Sequence, residues 1–419
     1  MAGDGGAAHG LADELPEYVP SAGNLANREW FREARFGLFI HWGIYAALGR
    51  GEWVLQNERM RLETYRELAP RFYPVLFNAS EWVALAQEAG IKYITLTAKH
   101  HDGFGLWHTK QTKWNVVDGS PFGRDILREL AEACRVGGLK LFVYYSPLDW
   151  SHPDYYPRGF TGTETGREEK GNWRQYLDYM HRQLEEILTE YPDIAGIWLD
   201  GWWDKPSHET WRTEETYKLV HSLKPDALVS NNHHRTPFWG EDTQIFEKDA
   251  PGENSAGFAH GSMRVESDLP LETCDTLHHN GAWGYTADRT AKTREEAIQL
   301  LVRTAGFDAN LLLNVGPPPD GAIQEEMALV LREVGAWLSR FGHTIYASRG
   351  GPAPPMSWGV TTQNASTIWV HVLEWPSQGE AIKLLLPNLP FDAIRPVARV
   401  LSCMLPLCVQ EGDGVGVDA

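Results

Sequence analysis

Strand-like and helix-like segments alternate along most of this chain, and that alternation commits it to a parallel sheet with helices packed outside it. Phe36 to His41 (FGLFIH), Lys92 to Thr97 (KYITLT), Leu139 to Tyr145 (LKLFVYY) and Ile194 to Leu199 read as the first four strands, rich in β-branched and aromatic residues. Ala227 to Ser230 gives a short fifth, and Asn310 to Val315 (NLLLNV) a last one. Helices fall between them: Ser80 to Gly90, with a Ser cap, acids in its first turn and a terminal Gly, then Asp125 to Val136, Asn172 to Tyr191, Arg294 to Ala305 and Ile323 to Arg340. Residues 232 to 292 are loop-rich and leave the sixth and seventh strands unplaced. The length suits a (β/α)8-like, TIM-type barrel with insertions. No Gly-rich dinucleotide fingerprint follows the first strand, which disfavours the doubly wound alternative. The expected organisation is an N-terminal arm over 1–25, ordered only near Trp30, and a barrel over 26–344. After the breaker cluster Pro352, Pro354 and Pro355, a small C-terminal β domain over 345–419 carries strands at Thr367 to Trp375 and Ala381 to Leu386.

The strands end in chemistry. Ile194 to Asp204, IAGIWLDGWWD, closes an apolar run with Asp200 among Trp198, Trp202 and Trp203. The C-terminal end of a barrel strand is where catalytic side chains project. The first strand ends in His41 and Trp42, followed by Gly51-Glu52-Trp53; the second in Lys99-His100-His101-Asp102; the third in Tyr145 and Ser146. A lone histidine is as often a satisfied core group as a functional one, but four strand ends converging on one mouth are harder to explain by packing alone.

A formal net charge of -18 argues against nucleic acid, because no basic stripe is present to neutralise phosphates. No stretch of 18 or more apolar residues suggests a membrane span, and the N-terminus shows no secretory signal pattern. Cys134, Cys274, Cys403 and Cys408 have neither metal-ligand spacing nor the density of a disulfide framework, so a cytoplasmic protein with free thiols is the expectation. The chain holds 18 Trp, and flat aromatic faces suit sugar rings, although Trp also fills cores. The pairs His100-His101, His233-His234 and His278-His279 invite a metal, but adjacent residues on a strand point to opposite faces and chelate poorly. No metal and no cofactor are expected. A homo-oligomer is left open.

Five collinear stretches carry a resemblance: FGLFIHWGIYAALGRGEW, YITLTAKHHDGFGLWHTKQTKWNVVD, GIWLDGWWD, LPLETC with the following WGY of Trp283 to Tyr285, and DANLLLNVGPPPDG. Together they are similar to the alpha-L-fucosidases of glycoside hydrolase family 29, over roughly residues 28 to 347. The resemblance implies a (β/α)8-like barrel followed by a β-sandwich, removal of terminal alpha-L-fucose from glycans or glycosides with retention, and no cofactor. Carried over residue by residue, it makes Asp200 the nucleophile. It assigns His41, Glu52, Trp53, His100, His101, Tyr145 and Trp198 to the sugar's hydroxyls and ring, Arg264 to a position near the sugar, and Trp283 to the C5 methyl group.

The acid/base is the assignment that the resemblance fixes least, since it comes from a variable loop after the nucleophile strand. Glu247, Glu253, Glu266 and Glu272 are the candidates; Glu247 fits best, and Glu272 reads as structural. A retaining mechanism further expects Asp200 to be kept ionised by the surrounding histidines and Glu247 to start protonated. Two other classes fit parts of the pattern: a catalytically silent fucose-binding protein on the same scaffold, and a metal-dependent hydrolase using the His pairs.

Overall fold

The computed structural model describes residues 18–375 apart from 192, 206–207, 260–262, 267 and 289, together with the strands Ile382–Leu384 and Val415–Val417. Its centre is one sheet of eight parallel strands: β1 (Phe36–Ile40), β2 (Tyr93–Lys99), β3 (Lys140–Tyr145), β4 (Ile194–Asp200), β5 (Leu228–Asn232), β6 (Gln244–Glu247), β7 (Leu271–Thr276) and β8 (Ala309–Val315). The order β5-β4-β3-β2-β1-β8-β7-β6 puts the first strand mid-sheet and brings β5 and β6 together as the two edges.

That seam is closed by a side chain as much as by backbone. Asp242 N donates to Val229 O at 2.8 Å, Val229 N donates to Asp242 Oδ2 at 2.7 Å, and Thr243 Oγ1 donates to Ser230 Oγ at 2.7 Å. No helix lies between β5 and β6, which explains why strand–helix alternation fails to locate the sixth strand.

Strand parity separates two cores. Outward residues such as Leu38, Ile94, Val143, Ile197 and Leu313 pack beneath the surrounding helices, whereas Phe39, Tyr93, Phe142, Tyr144, Trp198, Ile245, Cys274 and Leu312 fill the barrel. The outer layer holds α1 (Ala22–Ala34), α2 (Ala79–Glu88), α3 (Ile126–Gly137), α4 (Trp173–Glu190), α5 (Thr213–Leu223), α6 (Arg294–Gly306) and α7 (Glu325–Phe341). Side-chain caps start most of them: Asn78 on α2, in place of the expected serine, Asp125 on α3, Asn172 on α4, and a Thr293–Glu296 capping box on α6.

Ser21 caps α1 by accepting from Asn24 N, and Tyr18 already donates to Asp242 at 2.9 Å, so order begins well before Trp30. From α1, Phe31 stoppers the barrel floor against Tyr93 and Phe142. Beyond α7, an antiparallel sheet forms from β9 (Arg349–Gly350), β10 (Gly359–Gln363) and β11 (Ile368–Val372), the last within the expected Thr367 to Trp375 strand. Ile382–Leu384 and Val415–Val417 pair with each other, and the rest of the expected C-terminal β domain after 375 lies outside the described residues. Among the described residues no helix is long and apolar enough to cross a membrane, and Cys134 and Cys274 are free and buried.

Candidate active site

Asp200 is the last residue of β4 and, two residues beyond Trp198, shares its inward parity. Its Oδ2 accepts the Tyr144 hydroxyl at 2.9 Å and lies 3.6 Å from His101 Nε2; its Oδ1 accepts Trp203 Nε1 at 3.2 Å. Across the seam Glu247 ends β6 and also points inward, its Oε2 accepting from Asn232 Nδ2 at 2.8 Å and His234 Nε2 at 3.0 Å. Asn232 joins the two acids, since the same Nδ2 lies 3.4 Å from Asp200 Oδ1.

The electrostatics differ from the expectation. Burial, then the Glu247 carboxylate, push Asp200 up to about 6, against the partial relief of His234, Tyr144 and Trp203. Burial also pushes Glu247 up, but His234, Asn232 and Lys248 together outweigh it and hold Glu247 below the ordinary range. The histidines that end the first two strands are themselves desolvated: His41 is pushed down to about 3 by burial, and His100 and His101 well below their usual range. Of these, His101, 3.6 Å from Asp200, gives it a neighbour without a charge.

The remaining mouth residues form an aromatic and imidazole wall. His41 Nδ1 is 2.6 Å from Asn314 Oδ1, and its ring stacks on Trp283 with centroids 5.2 Å apart. His100 lies parallel to Tyr144 at 5.5 Å, and His101 Nδ1 is 2.7 Å from Ser146 Oγ. Trp53 stacks on Trp203 at 5.7 Å and meets His101 edge-on at 5.4 Å. Glu52 is buried and accepts Gly284 N at 2.7 Å, tying the first strand's loop to the Trp283 stretch; burial raises its pKa. Lys248, next to Glu247, places its ammonium 5.1 Å from the Trp283 ring centre.

Two expected sugar ligands do not join this wall. Tyr145 has outward parity, and its hydroxyl donates to Gln183 on α4 at 2.8 Å, so Tyr144 takes the place expected for it. The tandem tyrosines make either parity readable from sequence. Arg264 is exposed and pairs with Glu266 at 3.4 Å on a surface loop. Among the acid/base candidates, Glu253 accepts from Arg303 on the outer layer at 2.6 Å. Glu272 sits deep in the barrel, accepting Trp198 Nε1 at 2.8 Å and the Tyr93 hydroxyl at 2.6 Å. Only Glu247 of the four shares a hydrogen-bond donor with Asp200. Sequence reading missed Tyr144, Asn232 and His234. The alternation back from Asn232 along β5 is a signal that could have found an inward amide, had the strand not been taken to end at Ser230.

A parallel barrel whose C-terminal mouth holds two carboxyls linked through one amide nitrogen, walled by indole and imidazole rings, is the layout of a glycoside hydrolase. The alpha-L-fucosidase family model matches residues 7–343, and the chain belongs to that family. Alpha-L-fucosidase of Dictyostelium discoideum is 30% identical over 402 residues, covering 87% of this chain and 83% of its own. Tissue alpha-L-fucosidase of Mus musculus is 30% identical over 397 residues, covering 86% and 82%. Among solved structures, alpha-L-fucosidase isoenzyme 1 from Paenibacillus thiaminolyticus superposes with a TM-score of 0.79 at 32% identity, over 95% of this chain and 96% of that one. A family 29 alpha-L-fucosidase from Bacteroides thetaiotaomicron, trapped as a covalent intermediate in complex with 2-fluoro-fucosyl fluoride, gives 0.73 at 27% identity, over 87% and 86%.

Proposed function

We propose that this glycoside hydrolase is a retaining exo-alpha-L-fucosidase acting on terminal alpha-L-fucose of an oligosaccharide or glycoside. Asp200 attacks the anomeric carbon, and Glu247 protonates the departing oxygen and then deprotonates the water that releases the fucosyl ester. The single observation that carries this reading is the Asn232 bridge. One nitrogen 3.4 Å from Asp200 Oδ1 and 2.8 Å from Glu247 Oε2 keeps those oxygens nearer than the about 6.5–9.5 Å that an inverting pair needs to admit water. The covalent intermediate trapped in the Bacteroides thetaiotaomicron relative supports the same two-step chemistry.

In this reading Tyr144 and Trp203 aim the Asp200 oxygens at the sugar. His41 and His101, kept neutral by burial, donate Nδ1–H to Asn314 Oδ1 and Ser146 Oγ and so keep Nε2 as an acceptor, while His100, also neutral, has a donor and an acceptor nitrogen to offer sugar hydroxyls. The Trp283 face offers an apolar wall to the 6-deoxy methyl group. Once Asp200 is esterified its charge is gone, and Glu247, ionised by giving its proton to the departing oxygen, is the carboxylate that takes the proton of the attacking water.

The test is hydrolysis of an aryl alpha-L-fucoside by the wild type, Asp200→Gly and Glu247→Ala, each with and without azide. Turnover by the wild type, with azide restoring Asp200→Gly as β-fucosyl azide and Glu247→Ala as α-fucosyl azide, is the expected result. A wild type that binds fucose but turns over no fucoside would replace this reading with a silent sugar-binding protein.

A further inference from the structure

The two oxygens of Glu247 keep different company. Oε2 accepts from both Asn232 Nδ2 and His234 Nε2, whereas no hydrogen bond among the described residues reaches Oε1. The backbone arranges this contact. His234 adopts a positive φ of 59°, and that turn just after β5 parts the two consecutive histidines: His233 Nε2 lies 2.9 Å from Glu241, while His234 faces Glu247. The His234 ring also lies against Phe258, centroids 5.4 Å apart, which restrains its plane.

A carboxyl oxygen that accepts two N–H groups has both lone-pair directions in use and is a poor place for a proton. We propose that His234 is a positioning residue: by donating to Oε2 together with Asn232, it confines the transferable proton of Glu247 to Oε1. The inference rests on the reading of Glu247 as acid/base. In the first step the Oε1–H bond breaks as the proton passes to the glycosidic oxygen, the bond from that oxygen to the anomeric carbon breaks, and a bond from Asp200 to that carbon forms. In the second, water gives a proton to Oε1 as its oxygen displaces Asp200. Without His234 only Asn232 holds Oε2, which leaves one lone-pair direction there open to the proton and removes one of the two restraints on the carboxyl's rotation.

The test compares the full-length wild type with His234→Asn and His234→Gln. Asn tolerates positive φ but is too short to reach Oε2, and Gln restores an N–H donor. The substrates run from dinitrophenyl fucoside, whose leaving group needs no proton, through phenyl fucoside to a fucosyl disaccharide. For His234→Asn, kcat/KM on the phenyl and disaccharide substrates is expected to fall about 10–100-fold, while dinitrophenyl fucoside stays within about threefold, and Gln recovers most of the loss. An equal fall across the series at an unchanged melting temperature, or no fall at all, overturns the proposal while leaving the fucosidase reading standing. An inactive wild type overturns both.

Discussion

The Tyr144 hydroxyl donates to Asp200 Oδ2 at 2.9 Å across the β3–β4 pair, while its sequence neighbour Tyr145 turns to the opposite side of the sheet and bonds Gln183. Tyr144→Phe is therefore expected to lower kcat on a fucoside by about 10–100-fold, since a misaimed nucleophile loses rate steeply. Tyr145→Phe is expected to leave kcat within about twofold and to cost about 1 kcal/mol of stability through the lost hydrogen bond. Steady-state kinetics and urea unfolding of the two variants separate the roles; equal catalytic losses would contradict the parity assignment.

The acid pair sets a pH range. Catalysis needs one proton shared by Asp200 and Glu247, resident on Glu247 at the moment of bond breaking, and pairs this close titrate as a unit. With Asp200 raised to about 6 and Glu247 held low, the last proton leaves the pair near pH 6. On a substrate with a poor leaving group, kcat/KM is expected to fall about tenfold per pH unit above that point. A profile flat to pH 8 would show that the two carboxyls are not coupled in this way.

Stability and activity oppose each other at Asp200. Its folded-state pKa of about 6 lies above its ordinary value, so the stability contributed by the protonated form is full below about pH 4 and is lost as pH rises through about 6. Asp200→Asn should be inactive, should melt at a higher temperature than the wild type at pH 7, and should lose that advantage by about pH 4. Calorimetry across this range decides it; a variant less stable than wild type at pH 7 would mean that the hydrogen-bond partners of Asp200 outweigh its desolvation.

Glu272 holds the interior together from below the mouth. Burial raises it to about 7, and its two oxygens accept the Trp198 indole N–H at 2.8 Å and the Tyr93 hydroxyl at 2.6 Å. Trp198 in turn stacks on Tyr144 at 5.4 Å, so the contact chain reaches the nucleophile. Glu272→Ala leaves two buried donors unpaired and is expected to cost about 2–5 kcal/mol in urea unfolding, with reduced kcat. Glu272→Gln keeps an acceptor oxygen and should recover most of both.

The legible parts of the sequence are those where local pattern and tertiary role coincide. Ile194 to Asp200 is an apolar strand with an acid at its end, and both facts survive in β4. β6 is only Gln244–Glu247, and without a preceding helix nothing local marks it as a strand. β7, LETCDT, is polar on its inward face because it carries Glu272 into the barrel, so it lacks the apolar run that identifies a buried strand. β3 alternates without a break, Phe142 and Tyr144 inward and Val143 and Tyr145 outward, but both parities are apolar and aromatic, and which side is inside is set only when the sheet closes, a tertiary fact. The charge on the histidines was equally invisible, because desolvation belongs to the assembled site.

The seam between β5 and β6 has a mechanical meaning. Asp200 rides on β4, one continuous ladder from the seam's near edge, and Glu247 rides on the far edge itself. Where the two edges meet, the Asp242 carboxylate takes part in holding the sheet closed. The width of the gap into which the scissile bond must fit is therefore fixed by the few bonds that close β5 onto β6, and not by the ladders elsewhere around the ring.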